Sequence, residues 1–257
     1  MLTQNDIHDF LKNAGITHKD TVLIHTSMHA LGEVEGGCDG LIDGFISYLT
    51  DGLLVIPTHT WDNVSADQPV FDVRSTVPCI GALPTVAAFR KDGFRSLHPT
   101  HSVAAFGKRA KDFVSGEEKA TTPCPAGGVW NRLYDENATI LLLGVELNRN
   151  TYIHAVDEML DLPGRIVPAI PLTIIDHDGV SKQIQFQKHS KYTGSGNYTN
   201  FRKPFEYLGA LTYGQLGNAK VGIFNAKKGT EILKNLWAKA DYNLVEKAED
   251  VPEEYYI

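Results

Sequence analysis

Two short apolar runs, Thr21-Val-Leu-Ile24 and Leu53-Leu-Val-Ile-Pro57, are separated by a glycine-rich loop, a helical pattern from Leu41 to Tyr48 and a turn at Asp51-Gly52. Parallel strands need a connection of a dozen or more residues, usually a helix, so this succession reads as a crossover unit. The same rhythm recurs downstream: helix over 81–91, strand over 102–106, helix over 129–135, strand over 139–143 and helix over 151–160. It predicts an α/β fold of three layers, with a mixed, mostly parallel sheet flanked by helices. After Pro163 the pattern changes. Residues 169–175 and 180–186 flank Asp176-His-Asp-Gly179, which fits an antiparallel hairpin in the C-terminal half. Residues 191–201 are polar and aperiodic; a strand at 221–224, a helix near 230–240 and an acidic tail complete the chain. At the start, Leu2, Ile7, Phe10 and Leu11 share a helical face behind a Thr3/Asp6 capping box, which reads as a short lid helix.

With 42% hydrophobic and 21% charged residues, the 257-residue chain has enough apolar material for a core, and it is expected to form one domain over 1–257. A net charge of -7 argues against a nucleic-acid partner and mildly favours a cationic small molecule. The first residues lack the basic start and apolar run of a secretory signal, and no run approaches the ~18 apolar residues of a membrane span. A soluble cytoplasmic protein with no membrane partner is the expectation. Cys38, Cys79 and Cys124 form no C-x-x-C pair and have no histidine at zinc-finger spacing, which predicts reduced thiols and no metal.

Three segments carry candidate chemistry. In the stretch from Ile24 to Cys38, a strand end runs through hydroxyls and glycines into a helix; its backbone N–H groups suit phosphate, and glycines there also serve simple turns. In Arg95-Ser-Leu-His98-Pro-Thr-His101-Ser102, two histidines crowd a loop before a strand, as ligand contacts or as turn caps. In the third, His154 and Asp157 stand at i, i+3 on one helix face, either a general base held by a carboxylate or a surface pair.

In order and spacing these segments resemble the aminoglycoside N3-acetyltransferase family, whose members are acetyl-CoA-dependent and distinct from the GNAT acetyltransferases. The resemblance rests on Val22-Leu-Ile-His-Thr-Ser27 with Leu31-Gly-Glu-Val-Glu-Gly-Gly37, on Gly52-Leu-Leu-Val-Ile-Pro-Thr58, on Arg95-Ser-x-His98-Pro-x-x-Ser102, and on Leu141-Leu-Leu-Gly-Val with Asn150-Thr151 and His154-x-x-Asp157. Phe71-Asp72, Pro78 to Gly81 and a Gly217-Asn-Ala-Lys220 element extend it over most of the chain. The family likeness implies acetyl-CoA along the loop from His25 to Gly37, touched by His25, Thr26, Ser27, Val34, Gly36 and Gly37, with His98 and Ser102 nearby. It implies His154 as general base, oriented by Asp157 or by Glu158, and direct attack of an amine on the thioester without a covalent enzyme intermediate.

The chain departs from the family pattern at three places. Asp157 replaces the usual glutamate, Thr85 stands where glutamate is common, and Gln187-Lys-His-Ser-Lys191 is basic where aminoglycoside-modifying members are acidic. The acceptor is therefore expected to be a less cationic amine, such as an amino sugar, met by Asp62, Asp67, Asp72 and His189. A cysteine nucleophile at Cys38, Cys79 or Cys124, and a non-catalytic CoA-binding protein, are the alternatives at this point.

Overall fold

The computed structural model describes residues 1–190 and 194–257. In chain order the elements are α1 (Gln4–Asn13), β1 (Thr21–Thr26), α2 (Met28–Leu31), α3 (Gly37–Tyr48), β2 (Leu53–Pro57), β3 (Val70–Asp72), α4 (Ala82–Phe89), β4 (Phe94–Arg95), β5 (Val103–Phe106) and α5 (Ala110–Phe113). They continue with α6 (Val129–Asp135), β6 (Thr139–Leu143), α7 (Tyr152–Met159), β7 (Ile170–Ile175), β8 (Ser181–Phe186), α8 (Arg202–Tyr207), β9 (Leu211–Leu216), β10 (Ala219–Asn225) and α9 (Ala226–Lys239).

Seven strands form the main sheet in the order β4-β5-β2-β1-β6-β10-β9. Strands buried on both faces read as continuous apolar runs, as β1, β2 and β6 do. Their side chains still alternate. Leu23, Val55 and Leu142 enter one core with Trp130, Tyr152 and Leu233, whereas Ile24, Leu54 and Leu141 enter the other with Ile7, Phe45 and Leu83. Helices α6, α7 and α9 thus cover one face and α1, α3 and α4 the other, which makes the three layers.

Parallel pairing is confined to the centre, β2–β1–β6, while β5, β4, β10 and β9 add to it antiparallel. The mixed character therefore has a different source from the one expected. The β7–β8 hairpin, turned by Asp176 to Gly179, lies outside the main sheet; it pairs with β3 in a separate three-stranded sheet over Val64, Phe71, Leu172 and Phe186. Nor is α1 a lid. Its capping box is formed, and the helix is bedded in the core through Ile7, Phe10 and Leu11. Among the described residues no helix is long and apolar enough to cross a membrane.

Of Gly217-Asn-Ala-Lys220, the first two residues turn β9 into β10 and the last two open β10. Gly217 takes φ +56°, and the Asn218 N–H donates to Leu31 O, tying the hairpin to the end of α2.

Candidate active site

A cavity of about 1150 Å³ opens at the C-terminal ends of β1 and β2, where parallel strands of α/β proteins present ligand contacts. One wall is β1 and the segment after β2, with His25, Thr26 and His59; opposite stand Asn150, Thr151 and His154 of the α7 entry. The segments flanking the β7–β8 hairpin contribute Val167, Lys188 and His189.

Tyr152, Ile153, Ala155 and Val156 bury the rest of α7, which turns His154 to the cavity. Its Nδ1 lies 2.8 Å from the Tyr198 hydroxyl, which is 2.7 Å from Asp157 Oδ2; Arg165 Nε donates to the same oxygen over 3.1 Å. Ionised Asp157 only accepts, so the single phenolic proton goes to it. The Tyr198 oxygen then accepts from His154 Nδ1–H, which leaves His154 Nε2 with a free lone pair. Burial raises the Asp157 carboxyl to about 6, against the pull of Arg165 and Tyr198, so it remains mostly ionised at neutral pH. Burial, followed by the His189 ring and Arg165, holds His154 well below the ordinary histidine range and hence neutral.

Asp157 therefore reaches His154 through Tyr198 and not directly. Glu158 has another partner: its Oε1 meets His189 Nε2 at 2.9 Å and accepts the Cys124 N–H at 2.9 Å. It holds the ring that stacks on His154, with centroids 4.2 Å apart. Cys124, Glu158 and His189 each bring a possible ligand atom within 4.8 Å of the others. A row of imidazoles continues along the wall, His189 to His101 at 5.1 Å and His101 to His59 at 4.6 Å. Burial keeps them uncharged, with His25 and His189 pushed down to about 3 and His98 to about 4.

Residues 23–238 match the sequence profile of the aminoglycoside 3-N-acetyltransferase family. The chain belongs to that family. It is similar to the aminoglycoside N(3')-acetyltransferase-like protein YokD of Bacillus subtilis, with 23% identity over 95% of this chain and 96% of the relative. It is also similar to aminoglycoside N(3)-acetyltransferase IX of Micromonospora chalcea, at 25% identity over 88% of this chain and 89% of that one. Among solved structures, the binary complex of AAC-IIIb with CoASH shares the fold, with a TM-score of 0.77, 19% identity and coverage of 89% of this chain and 93% of that one. These are acyltransferases by name, and the membership makes this chain one of that enzyme class.

Within the N-acetyltransferase fold the expected contacts divide. Of the cofactor set, His25 and Thr26 line the cavity. Ser27 is instead the cap of α2, accepting the Ala30 N–H and donating its own to Leu143 O; Val34 is buried in a bridge to Leu2. Gly36 and Gly37 are exposed at the start of α3 with φ of 71° and 61°, away from the cavity wall.

His98 and Ser102 are enclosed in the fold. His98 Nδ1 accepts the N–H of Thr100 and of His101, and its Nε2–H donates to Thr122 O, so its role is that of a turn cap. Ser102 donates to Thr58 O at 2.8 Å and contacts Arg95, whose buried guanidinium bonds the carbonyls of Thr58, Val73 and Thr76. The Arg-Ser-x-His-Pro signature thus fastens β4 and β5 to β2, while His101 from the same segment reaches the cavity. Ser102→Ala is expected to lower stability by about 1 kcal/mol, the usual worth of one hydrogen bond, and to leave CoA affinity unchanged. A calorimetric Kd for CoA raised tenfold contradicts this placement.

Of the acceptor set, Asp62 and His189 line the cavity. Asp67 is exposed on a loop away from it, and Asp72 forms a two-bond pair with Arg74. Lys188 lies on the wall, its Nζ donating to Trp61 O and Val64 O; Lys191 is outside the described residues. Burial raises the thiols of Cys38, Cys79 and Cys124, so none is poised as a thiolate nucleophile.

Tyr198, Arg165 and His59 are the residues missed. Tyr198 sits in a 3-10 turn inside the aperiodic 191–201 stretch, and Arg165 follows the Pro163-Gly164 break; neither carries a local signal. His59 did have one. The run Thr58-His-Thr-Trp61 crowds hydroxyl, imidazole and indole at a strand end, a pattern shared with the segment of His98 and His101.

Proposed function

We propose that the chain transfers an acetyl group from acetyl-CoA to the amine of an aminoglycoside or amino-sugar-like acceptor, with His154 as general base. One observation carries the reading: a neutral imidazole faces the large cavity, its far nitrogen held by the Tyr198–Asp157–Arg165 chain. An attacking amine becomes acidic as its bond to the acetyl carbon forms, and a positioned base typically contributes ~10²–10⁴-fold. His154 Nε2 takes that proton. Asp157, one hydroxyl away, offsets the charge that then develops on the ring.

His25 and Thr26 at the cavity would meet the thioester end of the carrier, and the exposed loop after β1 its phosphate end. Gly37 has nothing within 4 Å of where a Cβ would stand, so backbone there is open to close approach by pantetheine or phosphate. The relative captured with CoASH supports CoA as the carrier. When bound, the carrier supplies an activated acetyl thioester; the raised cysteine thiols favour direct transfer from it.

Among the described lining residues Asp62 supplies the carboxylate, against the cations Arg149 and Lys188. Two like charges at ~4 Å repel by about 1 kcal/mol in water and by more when partly buried. Acceptors with one or two ammonium groups should therefore have higher kcat/KM than gentamicin-type polycations; polycations saturating at micromolar concentration contradict this.

The test is release of CoA thiol from acetyl-CoA with aminoglycosides, amino sugars and simple amines, and mass spectrometry of the product. The expected result is an acetylated acceptor in step with CoA. No release above hydrolysis with any amine, or a stable acetyl adduct on the protein, overturns the reading.

A further inference from the structure

Three buried polar atoms on the β1 and β2 side of the cavity have no hydrogen-bond partner: His25 Nε2, Thr26 Oγ1 and His59 Nε2. His25 and His59 are 7% and 3% exposed. Buried polar side chains nearly always have partners, so unmet groups lining a cavity mark where a ligand completes them. The His154 chain uses none of the three. His98, equally buried, shows the contrast, because both its ring nitrogens are engaged.

The surroundings define what that ligand group is. His59 is held between the His101 ring, centroids 4.6 Å apart, and the edge of Trp130 at 5.5 Å, so its direction is fixed by packing. The neighbouring wall is apolar, from Ile24, Ile56 and Leu83. Two neutral imidazoles can each direct an Nε2–H to the cavity without net charge. As Nε2–H donors they suit an oxygen that is uncharged on arrival and gains negative charge only during reaction.

Resting on the acetyl-transfer reading, we propose that His25 and His59 receive the acetyl carbonyl oxygen of the thioester and donate hydrogen bonds to it as charge develops. As the amine lone pair forms the C–N bond, the carbonyl π pair moves onto the oxygen facing these donors. That pair then returns, the C–S bond breaks, and its electrons leave on sulfur. The proton that His154 took from the amine passes to the thiolate, so the imidazole ends neutral as it began. Preorganised donors of this kind act where charge appears and cost no reorganisation at that moment.

The experiment compares wild type with His25→Ala, His59→Ala and His59→Gln in the full chain. Each alanine change is expected to lower kcat by roughly 10²–10³-fold, the effect of losing one such donor, with KM for acetyl-CoA within a few-fold. Glutamine, which returns an N–H donor, recovers most of the loss. A second readout needs no turnover: the infrared carbonyl stretch of carbonyl-labelled acetyl-CoA, bound without acceptor, moves below its value in water for wild type and back towards it in His59→Ala. Both alanine variants retaining wild-type kcat, or bound acetyl-CoA with an unshifted carbonyl in wild type, overturns the inference. Because the wild-type stretch is measured on the native chain, it decides even where a variant does not fold. An enzyme that acetylates amines with an unshifted carbonyl fails this inference alone; one that acetylates nothing fails the underlying reading.

Discussion

His154→Ala is expected to lower kcat by roughly 10²–10⁴-fold on every acceptor, while the Kd for CoA changes little. The ring contributes a proton acceptor to the amine and is not among the residues proposed to hold CoA. Tyr198→Phe keeps the ring plane that packs on His154 but removes the hydroxyl linking Nδ1 to Asp157. It should retain partial activity and change pH dependence, since nothing then fixes the tautomer. Glu158→Gln acts through His189 and should cost less than Asp157→Asn, reversing the ranking expected if Glu158 held His154. Wild-type kcat in His154→Ala, measured by CoA release under saturating acceptor, removes the base from this position.

Acid is expected to unfold the protein as the pH falls from about 5.5 towards 3.5. His25, His59, His98, His101, His154 and His189 are neutral in the fold because burial disfavours their charged forms. Unfolding frees them to bind protons below their ordinary value of about 6.5. Their stabilisation is thus full above that pH and is lost as pH falls, until each folded value is reached. Three carboxyls act in the opposite sense, Glu117 raised to about 7, Asp157 to about 6 and Glu158 also raised, all by burial, since they take up protons in the folded state first. Between about pH 6 and 4.5 unfolding still takes up a net of about three to four protons, a slope of roughly 4–5 kcal/mol per pH unit. Against a typical stability of about 5–15 kcal/mol this gives a cooperative loss within one to three pH units. Circular dichroism against pH checks it; a native spectrum held down to pH 3.5 contradicts it.

The sequence exposed the parts of this molecule whose signal is local. Continuous apolar runs disclose β1, β2 and β6 because those strands are buried on both faces, and the Thr3/Asp6 box marks α1 because capping involves only neighbours in the chain. Strand β9 escapes for the opposite reason. It lies at the sheet edge, most of its side chains face outward, and Gly214 interrupts it, so no period is visible. Strand β3 is three residues long and acquires its identity only from pairing with β7. The hairpin was legible, but which sheet it joins is settled by packing over Phe71 and Phe186.

The site divides along the same line. His154 and Asp157 are legible from helical spacing, but their link through Tyr198 spans 44 residues of sequence and is set by how the 3-10 turn at 195–201 folds back on α7. The signature histidine and serine at 98 and 102 show how a strong motif can mark the frame of a site rather than its surface. His101, three residues on from His98, faces the cavity because the intervening turn is pinned by the His98 ring itself.

Chemical rescue of His154→Ala tests the central claim most directly. The space left by the ring opens on the cavity, so added imidazole can stand where the side chain stood. Turnover of the variant should rise with imidazole concentration and, at fixed total imidazole, should rise with pH as the neutral base replaces the cation. A variant with undiminished turnover before imidazole is added, or a rescue that follows the imidazolium instead, contradicts His154 as the base.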